Sequence, residues 1–366
     1  MKNSVAEEYM RRALTLARKA EGRTSPNPMV GAVIVKNGLV VAEGYHKKSG
    51  SPHAEIEALK KAGNEARGAV MYINLEPCCH QGRTGPCVDA IIQSGIRQVF
   101  IGIRDPNPLV CGKGVRALKK SGVKATTGTL SGECRKLNEI FIKYISAGKP
   151  FVILKSAISM DGKIATRSGE SRWISGPASR RLVHQLRDRV DAIMVGAGTV
   201  LKDNPLLTAR LKNKKGIQPV RVILDNQNLV STSQRVFRNA SSEGVIYVTS
   251  EKISSSREKR LRQMGVEVCV LKEKDGGVNL PQLMKFLGKR EITSVLIEGG
   301  SELSASALKE KIVDKIIFFV APIIIGGKQS PGAVAGKGVG RLKDALKIKN
   351  LTVKLIGKDL MLEGYL

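Results

Sequence analysis

Aromatic residues are scarce, 4% of 366 residues with a single tryptophan. A protein that stacks unpaired bases on aromatic platforms needs more of them, interleaved with basic side chains. Acidic residues are outnumbered too, 32 against 61 Lys and Arg, for a formal charge of +29. Such a surplus attracts anions, and nucleic acid is the first to consider. The basic residues are spread through both halves with no basic arm, so they fit phosphorylated small substrates, and no nucleic-acid partner is expected. No apolar run approaches the ~18 residues of a membrane helix. The first residues are not a secretory leader, because Val5, Tyr9, Met10, Ala13, Leu14 and Ala17 recur at helical spacing between charges. No membrane partner is expected, and the expected location is cytoplasmic. Cysteine is rare, at six, too few for a disulfide framework, and in a reducing compartment clustered thiols point to metal or catalysis. A GxGxxG dinucleotide fingerprint is also missing.

The length suits two domains, each burying its own core. Strand signals at Gly31–Val35 and Val40–Gly44 flank Asn37-Gly38, a hairpin turn. A helix over 54–62, a strand over 69–75, a helix over 87–93, a strand over 98–103, a helix at 116–120 and a strand near Val123 follow, an order that implies a sheet covered on both faces. Ser146-Ala147-Gly148-Lys149-Pro150 interrupts this series and places a domain boundary, giving domains 1–147 and 148–366. The second series predicts strands at 151–155, 191–196, 219–225, 245–249, 266–271, 294–298 and 316–320. Its helices fall near 177–189, 279–288 and 302–311, and 347–366 reads as a terminal hairpin. The fold class is therefore α/β throughout.

Chemistry is concentrated in His53-Ala54-Glu55, Pro77-Cys78 and Pro86-Cys87, which resembles the signature of zinc deaminases. One imidazole and two thiolates form a neutral shell around Zn²⁺ with a fourth position open for water. Glu55 lies two residues from His53, suited to shuttling protons from that water to a ring nitrogen and the departing amine. Pro52 and Pro86 precede sites where helices begin, and a helix N-terminus favours a thiolate. Eight residues separate Cys78 from Cys87, longer than in nucleic-acid-editing deaminases, and Cys79 is an alternative ligand. Cys78 is preferred because it directly follows Pro77. The remaining Cys111, Cys134 and Cys269 are expected to be small buried hydrophobes.

The run Leu75-Glu76-Pro77-Cys78-Cys79-His80-Gln81-Gly82-Arg83-Thr84-Gly85-Pro86-Cys87 resembles the RibD family of bacterial riboflavin biosynthesis. Pro26-Asn27-Pro28, Pro52-His53-Ala54-Glu55 and Arg104-Asp105-Pro106-Asn107-Pro108 match it in order. In the second half Ser159-Met160-Asp161-Gly162-Lys163, Ser168 to Ile174 and Asp203 to Thr208 do the same. The resemblance covers nearly the whole chain, with Cys79 where the family usually has Ser or Ala. It implies a cytidine-deaminase-like α/β/α sandwich followed by a dihydrofolate-reductase-like α/β domain. The first would use zinc to remove the 2-amino group of 2,5-diamino-6-(5-phosphoribosylamino)pyrimidin-4(3H)-one. The second would use NADPH to reduce the ribosyl chain, giving 5-amino-6-(5-phosphoribitylamino)uracil.

The same resemblance implies Asn27, His46, His80 and Arg83 around the pyrimidine phosphate. It implies Ala157, Trp173, Thr199, Asp203, Gly299 and Gly300 at the NADPH site, and Ser171, Arg187, Leu207, Arg210 and Glu298 at the reductase substrate. Arginines suit a phosphate and Asn suits a ring edge. Glycines after the strands ending at Gly196 and Glu298 suit an approaching phosphate, although such glycines are often plain turns. Lys155 and Asp203 are the candidates for orienting or protonating the reduced sugar. Simpler readings stand beside these: His46 as a strand-end residue, Trp173 as core, Lys155 as a snorkelling strand residue. The rival function is a nucleoside or tRNA deaminase with an accessory domain, which leaves the second series unexplained. A zinc module that binds RNA is a further rival and predicts that Glu55 is dispensable. A homo-oligomer is expected, as for many two-domain metabolic enzymes.

Overall fold

The computed structural model describes residues 2–79, 85–107, 110–212, 216–274 and 276–366, with side chains from Val5 onward. The chain divides into two compact units, Met1–Gly148 and Lys149–Leu366.

The first unit runs α1 (Lys2–Arg18), β1 (Gly31–Lys36), β2 (Leu39–Tyr45), α2 (Ala54–Ala62), β3 (Val70–Leu75), α3 (Cys87–Gln93), β4 (Gln98–Ile103), α4 (Lys113–Lys120), β5 (Lys124–Thr127), α5 (Ser131–Leu137) and α6 (Glu139–Ala147). Its strands form a sheet in the order β2-β1-β3-β4-β5. β1 is antiparallel to β2 and β3, and β3, β4 and β5 are parallel. Asn37 and Gly38 both take positive φ, 52° and 78°, the geometry a two-residue hairpin turn requires. α2, α3 and α4 are neighbours on one face, and α1 and α5 meet on the other. Two glycines let helices press onto the sheet. A Cβ at Gly31 would lie 2.1 Å from the Ala13 carbonyl of α1, and one at Gly44 would lie 2.3 Å from the Ala54 carbonyl of α2. Cys134 is buried in this core, but Cys111 is exposed, contrary to expectation. It occupies the turn before α4, where its neighbour Val110 takes the buried place.

The second unit runs β6 (Phe151–Ser159), α7 (Pro177–Arg189), β7 (Ala192–Gly196), α8 (Ala197–Asp203), β8 (Val220–Leu224), α9 (Ala240–Glu243), β9 (Val245–Thr249), α10 (Ser255–Gln263), β10 (Glu267–Val270), β11 (Glu273–Lys274), β12 (Gly277–Val278), α11 (Leu280–Lys289), β13 (Ser294–Glu298), α12 (Ser301–Lys309), β14 (Lys315–Ala321), β15 (Lys349–Ile356) and β16 (Asp359–Tyr365). The large sheet has the order β10-β9-β8-β7-β13-β6-β14-β16-β15. It is parallel from β10 to β14, and β16 and β15 close it antiparallel. Successive residues of β7 and β8 alternate between two apolar layers. Ala192, Met194, Val222 and Leu224 pack with α11 and α12, whereas Ile193, Val195 and Ile223 pack with α8, α9 and α10. β6 lies between β13 and β14, so it is paired on both edges. Asp359, buried at the start of β16, accepts from the Gly176 N–H and the Ser179 hydroxyl and so fixes the start of α7. β15 is an outer strand whose Leu351, Val353 and Leu355 are exposed. No helix among the described residues is long and apolar enough to cross a membrane.

Candidate functional site

In the first unit the ends of α2, β3 and α3 meet. His53 caps α2, Cys87 opens α3, and Cys78 follows β3 by three residues. His53 Nδ1 lies 3.2 Å from Cys87 Sγ and 3.6 Å from Cys78 Sγ. The donor atoms of these three residues lie within 4.8 Å of one another, and Cys79 is not in the group. An imidazole and two sulfurs so close together are the donor set zinc selects. The Cys87 N–H also points at Cys78 Sγ, 3.4 Å away.

Electrostatics at this point support deprotonation of one sulfur. The hydrogen bond from Cys87 pulls the Cys78 thiol down to about 4, against burial and with help from His53. Cys87 moves up, because Cys78 is its acceptor and the site is buried. His53 is raised by its hydrogen bond to Cys78. Glu55, 3% exposed on the first turn of α2, is pushed up to about 7 by burial, with His53 opposing. A carboxyl poised near neutrality is what proton transfer in both directions needs.

His46 is buried, not a free strand-end residue, and its ring meets His53 edge-on at 5.5 Å. Burial lowers its affinity for protons. Its Nδ1 faces the Pro52 carbonyl at 3.1 Å and its Nε2 faces Asn27 Nδ2 at 3.2 Å. A neutral ring with its proton on Nδ1 satisfies both contacts. The Asn27 amide is thereby oriented, with Oδ1 left as an acceptor. His80 and Arg83 lie outside the described residues.

Three buried polar residues that the sequence reading passed over support this arrangement. Asn138 Oδ1 accepts from Met29 N–H at 2.8 Å, and Asn74 and Asn138 both donate to the Met29 carbonyl. Together they fix the segment after Asn27. Glu76 accepts from the N–H groups of Asp105, Gly112 and Val115, tying Asp105 and the start of α4 to the strand that leads to Cys78. Their partners lie 29 to 109 residues away, so no local pattern announces them.

In the second unit a charged cluster sits under α7. Arg187 grips Glu298 with two bonds, 2.7 and 2.9 Å, and Lys155 Nζ lies 3.1 Å from the same carboxylate. Burial pushes the Glu298 carboxyl up, but the charges of Arg187 and Lys155 outweigh it and hold the group well below the usual range. Lys155 is thus paired within the sheet face and does not snorkel. Arg187 also donates to the Thr208 carbonyl, and Arg210 donates to the Thr208 hydroxyl. His184 lies against Arg210, with Nδ1 3.2 Å from its backbone nitrogen. Leu207 is buried in the α8 to α10 layer and has a φ of 56°.

The expected cofactor residues form a second group. Gly300 N–H donates to Thr199 Oγ1 at 3.1 Å, and a Cβ at Gly299 would lie 2.8 Å from that oxygen. Ser171 Oγ lies 3.5 Å from Asp203, and Arg172 donates to the Asp203 carbonyl. Trp173 is 68% exposed with the Arg180 guanidinium 4.6 Å over its ring, so it is not core. Ala157 stands near the end of β6, opposite Phe319 of β14.

Comparison with known proteins gives these two units a class. Residues 3–103 match the "Cytidine and deoxycytidylate deaminase zinc-binding region" family, and residues 150–362 match the "RibD C-terminal domain" family. A zinc-binding deaminase domain is therefore joined to a reductase domain. The Actinobacillus pleuropneumoniae riboflavin biosynthesis protein RibD is 45% identical, the alignment spanning 97% of this chain and 94% of that one. Acinetobacter baumannii RibD has a solved structure that superposes with a TM-score of 0.89 at 36% identity, covering 99% of each chain. A Thermotoga maritima structure, described as a diaminohydroxyphosphoribosylaminopyrimidine deaminase and 5-amino-6-(5-phosphoribosylamino)uracil reductase, gives 0.87 at 39%, covering 100% of this chain and 99% of its own. The chain belongs to the RibD family, the bifunctional deaminase–reductases of riboflavin biosynthesis. Its cofactors are accordingly zinc and NADPH.

Proposed function

We propose that residues 1–147 form the zinc-dependent deaminase and residues 148–366 the NADPH-dependent reductase, acting in turn on one phosphorylated pyrimidine. The first would deaminate 2,5-diamino-6-(5-phosphoribosylamino)pyrimidin-4(3H)-one. The second would reduce the ribosyl chain to give 5-amino-6-(5-phosphoribitylamino)uracil. The observation that carries this reading is the convergence of His53, Cys78 and Cys87 beside the buried carboxyl of Glu55.

His53, Cys78 and Cys87 would hold zinc, which supplies a bound water that ionises near neutral pH. Glu55 carries one proton on its carboxylate to a ring nitrogen and then a second to the leaving amine. Asn27 Oδ1, oriented by His46, accepts from the edge of the pyrimidine. His80 and Arg83 complete the contacts to the ring and its phosphate. In the second unit NADPH supplies the hydride. Ala157, Trp173, Thr199, Asp203, Gly299 and Gly300 form its seat, where the glycines leave room for close approach of a phosphate. Arg187 and Arg210, with Ser171 and Leu207, hold the substrate's ribose phosphate. Lys155, paired with Glu298, delivers a proton to the opening sugar, and Asp203 orients it. The protein works in the cytoplasm as a homo-oligomer, for which the apolar outer strand β15 offers a surface.

Ammonia release from the zinc-loaded chain tests the first step, with the pyrimidine phosphate, deoxycytidine and tRNA supplied in parallel. NADPH absorbance should then fall only after deamination. Ammonia from deoxycytidine or tRNA, and none from the pyrimidine phosphate, would refute this substrate assignment.

A further inference from the structure

Arg221 is the second residue of β8 and is 1% exposed, among the largest fully buried side chains in the chain. Strand alternation aims it at the layer containing α8 to α10, because its neighbour Val222 packs with α11 and α12. Among the described residues none of its three guanidinium nitrogens has a hydrogen-bond partner. Its ion-pair partner is Glu243, the last residue of α9, at 3.3 Å. A guanidinium carries five N–H donors, and burying them without acceptors is strongly unfavourable.

The same residue borders a cavity of about 470 Å³ with Leu206, Thr208, Arg238, Asn239 and Glu243, its guanidinium set behind the wall. Arg238 brings a second guanidinium, and no ion pair involves it among the described residues. This cavity is separate from the cluster around Glu298. Arg221 is in register with Ile193, and Ile193 with Leu296, two residues short of Glu298 and two strands away. At strand spacing and rise that is roughly 12 Å between Cα atoms. Thr208 is the shared wall, since its carbonyl accepts from Arg187.

We propose that this cavity binds the phosphate group of a small molecule, at a site distinct from the reductase centre. Arg221 and Arg238 are its cationic jaws, and Thr208 and Asn239 its neutral donors. Arginine forks fit carboxylate and phosphate alike, but three terminal oxygens use a donor set this large better than two. Glu243 is the internal competitor, paired with Arg221 at 3.3 Å and accepting from the Asn239 amide at 3.4 Å until an anion arrives.

The test is calorimetric titration of inorganic phosphate into full-length, zinc-loaded protein. Phosphate also meets the substrate clamps, so variants of this cavity isolate its contribution. Glu243→Gln should tighten binding about tenfold and Arg238→Gln should weaken it about tenfold, each the equivalent of losing one close charge. Arg221→Met should abolish this component while leaving the thermal midpoint unchanged or higher. If that variant fails to fold, the other two decide. Crystals soaked in selenate, an anomalously scattering phosphate mimic, should show a peak between Arg221 and Arg238. Superimposable isotherms for Glu243→Gln, Arg238→Gln and the parent, or selenate only at other sites, would overturn the proposal. So would malonate binding here as tightly as phosphate.

Discussion

Glu55 and His184 show how burial tunes single residues to different ends. The Glu55 carboxyl lies near neutrality because it is buried. Replacing it by Gln keeps the shape and the metal ligands but removes the proton carrier. Glu55→Gln should retain zinc by metal analysis while ammonia release falls about 10²- to 10⁴-fold. Ammonia release at the parental rate would refute the role. His184 is held down to about 4, first by burial and then by the charges of Arg187 and Arg210. Unfolded, it titrates near 6.5. Between those values the unfolded chain binds more protons, so this stabilisation is complete above 6.5 and is lost as pH falls toward 4. His184→Gln should flatten that part of a urea-midpoint profile, and an unchanged slope would count against it. At this scale the metal ligands were legible because His53, Cys78 and Cys87 lie within 35 residues of sequence in recognisable pairs. Asn138 and Glu76 were not, since what makes them matter is a partner brought in by the fold. The grip of Arg187 on Glu298 spans 111 residues and is likewise a product of α7 lying over β13.

Among elements, those with a clear apolar period were read closely: α7, β4 and α3 occupy the expected residues. α10 was missed, because only Leu261 of its Ser255–Gln263 span is buried and no stripe marks it. α8 was also missed, its opening glycines reading as a turn after β7. The contact of β2 with α2 deserves a direct test, because α2 presents both His53 and Glu55. Gly44→Ala would drive a methyl into the Ala54 carbonyl. The expected cost is about 1–3 kcal/mol in urea unfolding, with less zinc retained after dialysis. Full zinc and parental stability would mean that the helix shifts freely.

At the scale of the whole molecule, two cores and two cofactors predict two responses. A zinc chelator should lower one calorimetric transition and stop ammonia release while reduction of the deaminated substrate continues. NADPH should raise the other transition in proportion to its occupancy. A single transition moved by both agents would argue against independent units. The position of β6 has a consequence for synthesis on the ribosome. It is the first strand of its sheet to be made, yet its partners β13 and β14 begin at residues 294 and 315. Until those have emerged, an apolar strand waits with both edges open, whereas the preceding unit has every strand it needs. Nascent chains stopped before residue 294 should therefore be the ones that chaperones hold.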